Sequence, residues 1–145
     1  MKENEIVVKA RCLITDSKGR ALVGKAFDKV KDKTFYSPLG GSLDFGETAE
    51  QAIRREMREE VHSDLKNLRL LEVVENLFTF EGKKGHEIEF MYSGDLVREE
   101  LYGMDSIHVR ESTYEFEAEW VDIKELLSDK MPIYPKLDYR KYLTK

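Results

Sequence analysis

The stretch from Glu47 to Val61 has helical periodicity, yet it sets carboxylates in the middle of its own apolar face. On a wheel at about 100° per residue with Ala49 at zero, Ala52, Ile53, Met57 and Val61 fill an arc from roughly −60° to roughly +120°. Such an arc is what a helix turns toward a core. Glu56 falls at roughly −20° and Glu60 at roughly +20°, inside that arc, and Glu59 at roughly −80°, at its edge. Gln51, Arg54, Arg55 and Arg58 fall on the opposite side. Thr48 and Gln51 have the spacing of a capping box, so the helix is predicted from Thr48 to about Val61.

Carboxylates one helical turn apart converge on one spot. Desolvated like charges cost several kcal/mol unless something compensates. Arg55 precedes Glu59 by four residues, a spacing that supports an ion pair, and Glu50 is explained as a solvated charge. For Glu56 and Glu60 the wheel turns the arginines the other way. Hard oxygen ligands gathered on a rigid element are what a divalent cation prefers. From geometry alone, two readings stay open: a metal site, or a polar cluster of another kind. Gly40-Gly41, just upstream, allows close backbone approach. It lies in a loop feeding a helix N-terminus, where phosphate oxygens are favoured.

Around this helix the chain reads mostly as strand. Glu5–Thr15 and Arg20–Val23 form a hairpin across Asp16-Ser17-Lys18-Gly19, and residues 24–33 read as a loop. Phe35–Gly41 is an apolar approach into a bend. Leu68–Phe80 and His86–Leu96 read as strands joined by a loop over Glu81–Gly85. In the second strand Ile88, Phe90 and Tyr92 alternate with Glu87, Glu89 and Met91, which predicts one solvated face. Phe116, Ala118 and Trp120 alternate likewise. Asp122–Leu127 is a short capped helix, and Lys136–Leu143 a last one. Strands on both sides of a central helix point to an α/β (α+β) chain with a mixed β-sheet packed between helices.

At 145 residues the chain is expected to form one domain, residues 1–145. Its net charge of −5 and lack of a basic stripe argue against a nucleic-acid polymer as partner. No apolar window is long enough for a membrane span, and Met1–Ile14 contains no apolar signal core. A cytoplasmic address is therefore expected. Cys12 sits in an apolar run and reads as a buried, inert thiol.

Loop and helix together resemble the Nudix box. Gly41 is followed at the family's interval by Glu47 and then by Arg55-Glu56-Met57-Arg58-Glu59-Glu60, with Pro38-x-Gly40-Gly41 and Gly46-Glu47-Thr48 around it. One position departs: the family's glycine after Glu-Glu-x is replaced by His62, and Ser63-Asp64 follow, with Leu65 as the next apolar residue. The resemblance implies a Nudix hydrolase with a Nudix-like αβα sandwich and Mg²⁺ (Mn²⁺ as substitute) as cofactor. It implies Glu56, Glu59 and Glu60 as metal ligands and catalytic groups, with the Gly40 carbonyl as a further ligand. Gly41, Glu47 and Arg55 would support the box, Glu47 pairing with Arg55. The implied reaction is attack of metal-activated water on a pyrophosphate linkage in a small nucleotide or other organic diphosphate.

In this family the general base is often a glutamate outside the box. Glu111, Glu115, Glu117 and Glu119 precede or enter the last strand. Glu117 is the first choice and Glu115 the next, though each also reads as a solvated carboxylate, and Glu56 or Glu60 could serve instead. Tyr36, Phe78, Tyr92 and Tyr134 are candidate stacking surfaces, His86 a candidate substrate contact, and His108 and Arg110 candidate phosphate contacts; each also reads as ordinary core or surface. The alternative function is a catalytically silent nucleotide-binding module on the same fold, against which the retained glutamate set weighs. A third reading, a diphosphate isomerase, lacks an additional Cys/His cluster. The substrate among diphosphates, the number of metal ions and the assembly state, with a homodimer as one family precedent, stay open.

Overall fold

The computed structural model describes residues 4–110, 115–128 and 130–143. Seven strands form a mixed sheet: β1 (Ile6–Leu13), β2 (Arg20–Asp28), β3 (Lys33–Ser42), β4 (Leu65–Phe80), β5 (Lys83–Leu96), β6 (Ser106–Arg110) and β7 (Glu115–Asp122). Their order is β4-β5-β1-β3-β2-β7-β6. β1 runs parallel to β5, and the other neighbours are antiparallel.

Alternation along the central strands feeds two cores. Cys12, Leu22, Leu39, Tyr92 and Trp120 pack with Ala52, Ile53, Met57 and Val61 of helix α1 (Ala49–Val61). Leu13, Val23, Met91 and Val121, on the opposite face, pack with Leu126 of α2 (Ile123–Leu126), with Tyr139 and with Leu143 of α3 (Arg140–Leu143). The sheet therefore lies between helices, as expected, because its strands carry apolar residues at both parities where it is covered. Among the described residues no helix is long and apolar enough to cross a membrane.

α1 begins with the expected cap: Gln51 N–H donates to Thr48 Oγ1 at 3.1 Å, and Thr48 N–H donates to Gln51 Oε1 at 2.9 Å. It ends at His62, which takes the left-handed conformation (φ 54°, ψ 40°) with its N–H on the Arg58 carbonyl. The terminus thus closes as it would with glycine, which histidine adopts less readily. Leu65 is buried in the α1 core, supplying the apolar contact.

Several boundaries differ from expectation. Residues 24–33 are not a loop: β2 runs to Asp28 and β3 starts at Lys33. The bend at Phe35–Gly41 is the body of β3, because Pro38 and Gly40 lie within paired strand register. The Glu81–Gly85 loop shrinks to Glu81-Gly82, both at positive φ, the tight turn that suits strand twist. The last helix spans only Arg140–Leu143, and His108 and Arg110 lie on a further strand, β6.

The phase of β5 is also corrected. Glu87, Glu89 and Met91 are buried, at 6%, 0% and 1% exposure, on the face expected to be solvated. Adjacent parallel β1 explains this, since Lys9 pairs with Glu87 at 3.1 Å and Arg11 with Glu89. Buried charges persist when partnered.

Candidate active site

Gly40 and Gly41 lie in β3 beside β1, in register with Arg11 and Ala10. A Cβ at residue 41 would stand 2.5 Å and 2.6 Å from Glu56 Oε1 and Oε2. Glycine there leaves the pocket that the Glu56 carboxylate fills. Glu56 (8% exposed) and Glu60 (2%) are both buried on the sheet side of α1, as the wheel placed them. Glu59 is on the rim and exposed.

The guanidinium of Arg55 joins these groups. It donates to Glu47 at 2.7 and 3.0 Å, to Glu56 Oε1 at 2.9 Å, to Glu59 Oε2 at 3.2 Å and to the Ser42 carbonyl at 3.0 Å. This corrects the expectation that the arginines point away from Glu56. The wheel places Cβ atoms, whereas the long arginine stem carries its charged head around the helix. Glu47 and Arg55 do meet, and the hydrogen bond to Glu47 raises the Arg55 pKa above its ordinary value.

That same bond holds the Glu47 carboxyl down at about 2. A depressed pKa means a stabilising contribution present above the unfolded carboxyl value of about 4.3 and lost as pH falls through the folded value. The melting-temperature difference between wild type and Glu47→Gln is expected to be constant above pH ~5 and to shrink toward pH ~2. Thermal melts across that range check it; a difference that does not change with pH would remove Arg55 as the cause.

Among the described residues, no three acidic, histidine or cysteine side chains stand together as a closed metal-ligand set. Glu59 is drawn toward Arg55 rather than toward Glu60. The donor chemistry nevertheless fits a hard divalent cation: two buried carboxylates one turn apart, Glu56 against Gly41, with a third carboxylate exposed on the rim.

The late glutamates lie elsewhere. Glu119 shares the row of Val23 and Pro38, and Glu117 is two residues further from Gly41. That puts Glu117 about five residues, or roughly 17 Å, along the sheet from Gly41. It also faces away from α1, because Ala118 and Trp120 supply the α1 side. Its carboxylate meets His108 Nδ1 at 2.6 Å, while Glu115 meets His108 Nε2 at 3.3 Å and Arg110 at 3.2 Å. The structure thus does not bring Glu115, Glu117 or Glu119 to the box, and His108 and Arg110 are engaged with the glutamates. Glu111 lies outside the described residues.

Sequence reasoning missed a cleft of about 570 Å³ on the face opposite α1. Its floor carries Lys9, Arg11 and Glu87, and Phe35, Phe78, Phe80 and Tyr134 stand on its walls. Arg11 donates to the Pro38 carbonyl at 2.9 Å, two residues before Gly40, and Lys9 lies opposite Ser42. On β3 the cleft is lined by Lys33, Phe35 and Ser37; Gly40, Gly41 and the box glutamates are not among its lining residues. The two are joined only through the register of Lys9 and Arg11 with Ser42 and Gly40. Of the four aromatic candidates, Phe78 and Tyr134 line it, whereas Tyr36 and Tyr92 are core. The signal available in the sequence was the charged pair Lys9 and Arg11 alternating inside an otherwise apolar strand. Cys12 is fully buried, and burial pushes its thiol up to about 12, consistent with an inert role.

Known structures share this fold. A NUDIX hydrolase from Nitrosomonas europaea superposes with a TM-score of 0.59 at 20% identity, over 85% of this chain and 76% of that one. A MutT NUDIX hydrolase from Burkholderia pseudomallei gives 0.55 at 21%, over 83% and 86%. The MutT protein from Methanosarcina mazei Go1 gives 0.53 at 20%, over 91% and 88%. At such identities the likeness speaks for the fold. The family model of the NUDIX domain matches residues 6–140, which include all seven strands, α1 and α2, and the chain accordingly belongs to the NUDIX domain family.

Proposed function

We propose that this Nudix hydrolase cleaves the diphosphate bridge of a small nucleoside-diphosphate derivative with Mg²⁺, or Mn²⁺ in its place, as cofactor. The observation that carries the reading is the pair of buried carboxylates, Glu56 and Glu60, facing the sheet beside Gly41 and tied through Arg55 to Glu47. A module that only bound ligand would have no use for like charges held together at the expense of their hydration.

When bound, a divalent cation supplies charge neutralisation for the phosphoryl oxygens and lowers the pKa of water. Glu56 and Glu60 would hold it from the rigid helix, with Glu59 and the Gly40 carbonyl completing the set. Arg55 orients the carboxylates and links them to β3 through the Ser42 carbonyl. Glu56 or Glu60 is also the better placed group to accept a proton from water, given the distance to Glu117. Lys9 and Arg11, opposite Ser42 and Gly40, are positioned to face the organic half of the substrate in the cleft. The net charge of −5 weighs against a polyanionic partner such as a nucleic acid.

The test is turnover of a panel of nucleoside triphosphates, nucleotide sugars, ADP-ribose and dinucleoside polyphosphates, with and without chelator. Hydrolysis that stops with chelator and returns with Mg²⁺ is expected. No turnover on any compound, with ligands still raising the melting temperature, would favour the binding module.

A further inference from the structure

The charges of the cleft are segregated along its length. On the floor each cation has its own carboxylate: Lys9 with Glu87, and Arg11 with Glu89, which also accepts from Asn76 at 3.0 Å. At the mouth the tips of the β2–β3 and β4–β5 hairpins meet, and Lys31, Lys33 and Lys136 line the wall there, all three exposed. Of the acids on the two tips, Asp32 is exposed between Lys31 and Lys33, Glu81 accepts the Lys29 N–H at 3.3 Å, and Asp28 is already occupied. Its carboxylate accepts the N–H groups of Val30 at 2.9 Å, Lys31 at 3.0 Å and Glu81 at 3.0 Å, which ties one tip to the other. Burial opposes its ionised form, but these bonds outweigh that and hold the carboxyl below its usual range.

Lys136 Nζ stands 5.8 Å from the centre of the Tyr134 ring. Lys31 gives one N–H to the Thr79 carbonyl at 2.6 Å, which leaves two. Glu75, the remaining acid on the cleft wall, lies four residues along β4 from Thr79, about 13 Å by strand rise. Three cations thus gather at one end of a cleft, in a chain whose net charge is −5. A neutral occupant would draw nothing from these charges, whereas an anion would be attracted to them. A phosphate monoester carries close to two charges and three acceptor oxygens, and long lysine stems can close on it.

We propose that the cleft receives a diphosphate compound whose organic half bears a second, phosphate-ester group, and that Lys31, Lys33 and Lys136 bind that group at the mouth. Only the assignment of the diphosphate end rests on the hydrolase reading. Aromatic Phe35, Phe78, Phe80 and Tyr134 would lie against the connecting moiety.

The experiment is calorimetric titration of the full chain with unbranched alkanediol bisphosphates of increasing length, each beside the alkyl monophosphate of equal length. For at least one length the bisphosphate is expected to bind about tenfold or more tightly than its monophosphate, the advantage falling with added salt. The double variant Lys33→Gln/Lys136→Gln should bring the two ligands within about threefold of each other. The control Lys18→Gln/Lys124→Gln, whose lysines lie outside the cleft, should keep the wild-type preference. No preference at any length, a preference that survives loss of the mouth lysines, or an equal loss in the control would each overturn the proposal. These ligands contain no diphosphate bridge. A preference seen alongside a failed hydrolysis panel would therefore remove the proposed reaction and leave the mouth site standing.

Discussion

Glu60→Gln is expected to lower kcat about 10²- to 10³-fold with Mg²⁺ present, while the protein stays folded. Glutamine keeps the shape of a side chain that is only 2% exposed, so packing against the α1 core is preserved. It removes the charge on which the proposed cation site depends. Because a buried carboxylate is costly to desolvate, its loss should leave the melting temperature within a few degrees of wild type. Turnover and thermal melts on the same preparations check this, with Glu117→Gln measured alongside. Equal activity in wild type and Glu60→Gln would show that the metal site is misplaced. A collapse in Glu117→Gln comparable to that in Glu60→Gln would contradict the separation of β7 from the box.

The second large effect concerns stability. In Gly40→Ala the new Cβ would run into the Ala10 carbonyl oxygen and stand 2.7 Å from Arg11 Cα and 2.9 Å from Ala10 C. These are backbone atoms of a central strand, so relief requires β1 and β3 to part. A cost of about 3 kcal/mol or more is expected, a fall in melting temperature of roughly 10 °C for a chain of this size. Gly19→Ala is the comparison: φ is +78° there but nothing lies within 4 Å, so about 1 kcal/mol is expected. Gly41→Ala differs in kind. Its Cβ meets the end of the Glu56 side chain, which can move, so stability should change little while turnover drops by about 10² through the displaced carboxylate. If Gly40→Ala melted no lower than Gly19→Ala, the close approach of the two strands would be refuted.

The contrast between α1 and β5 shows what could be seen before the chain was folded. A helix has a fixed angular step, so the inward placement of Glu56 and Glu60 followed from spacing alone, and so did the Thr48–Gln51 cap. Local chemistry also marked the Asp16–Gly19 turn and the short helix after Asp122. For β5, alternation established that two faces exist but not which one is solvated. That was decided by Lys9 and Arg11 on β1, some 78 residues away for the Arg11–Glu89 pair.

By itself, then, the sequence determined the box: the helix, its cap, the glutamates on its apolar face and the glycines before it. All of these rest on interactions within a few residues. Only the tertiary structure decided that Arg55 closes on Glu56, that Glu117 stands on the far face of the sheet, and that two hairpin tips enclose a cleft with lysines at its mouth. Those features depend on strand order and register between distant segments, and on long flexible side chains whose charged ends no periodicity locates.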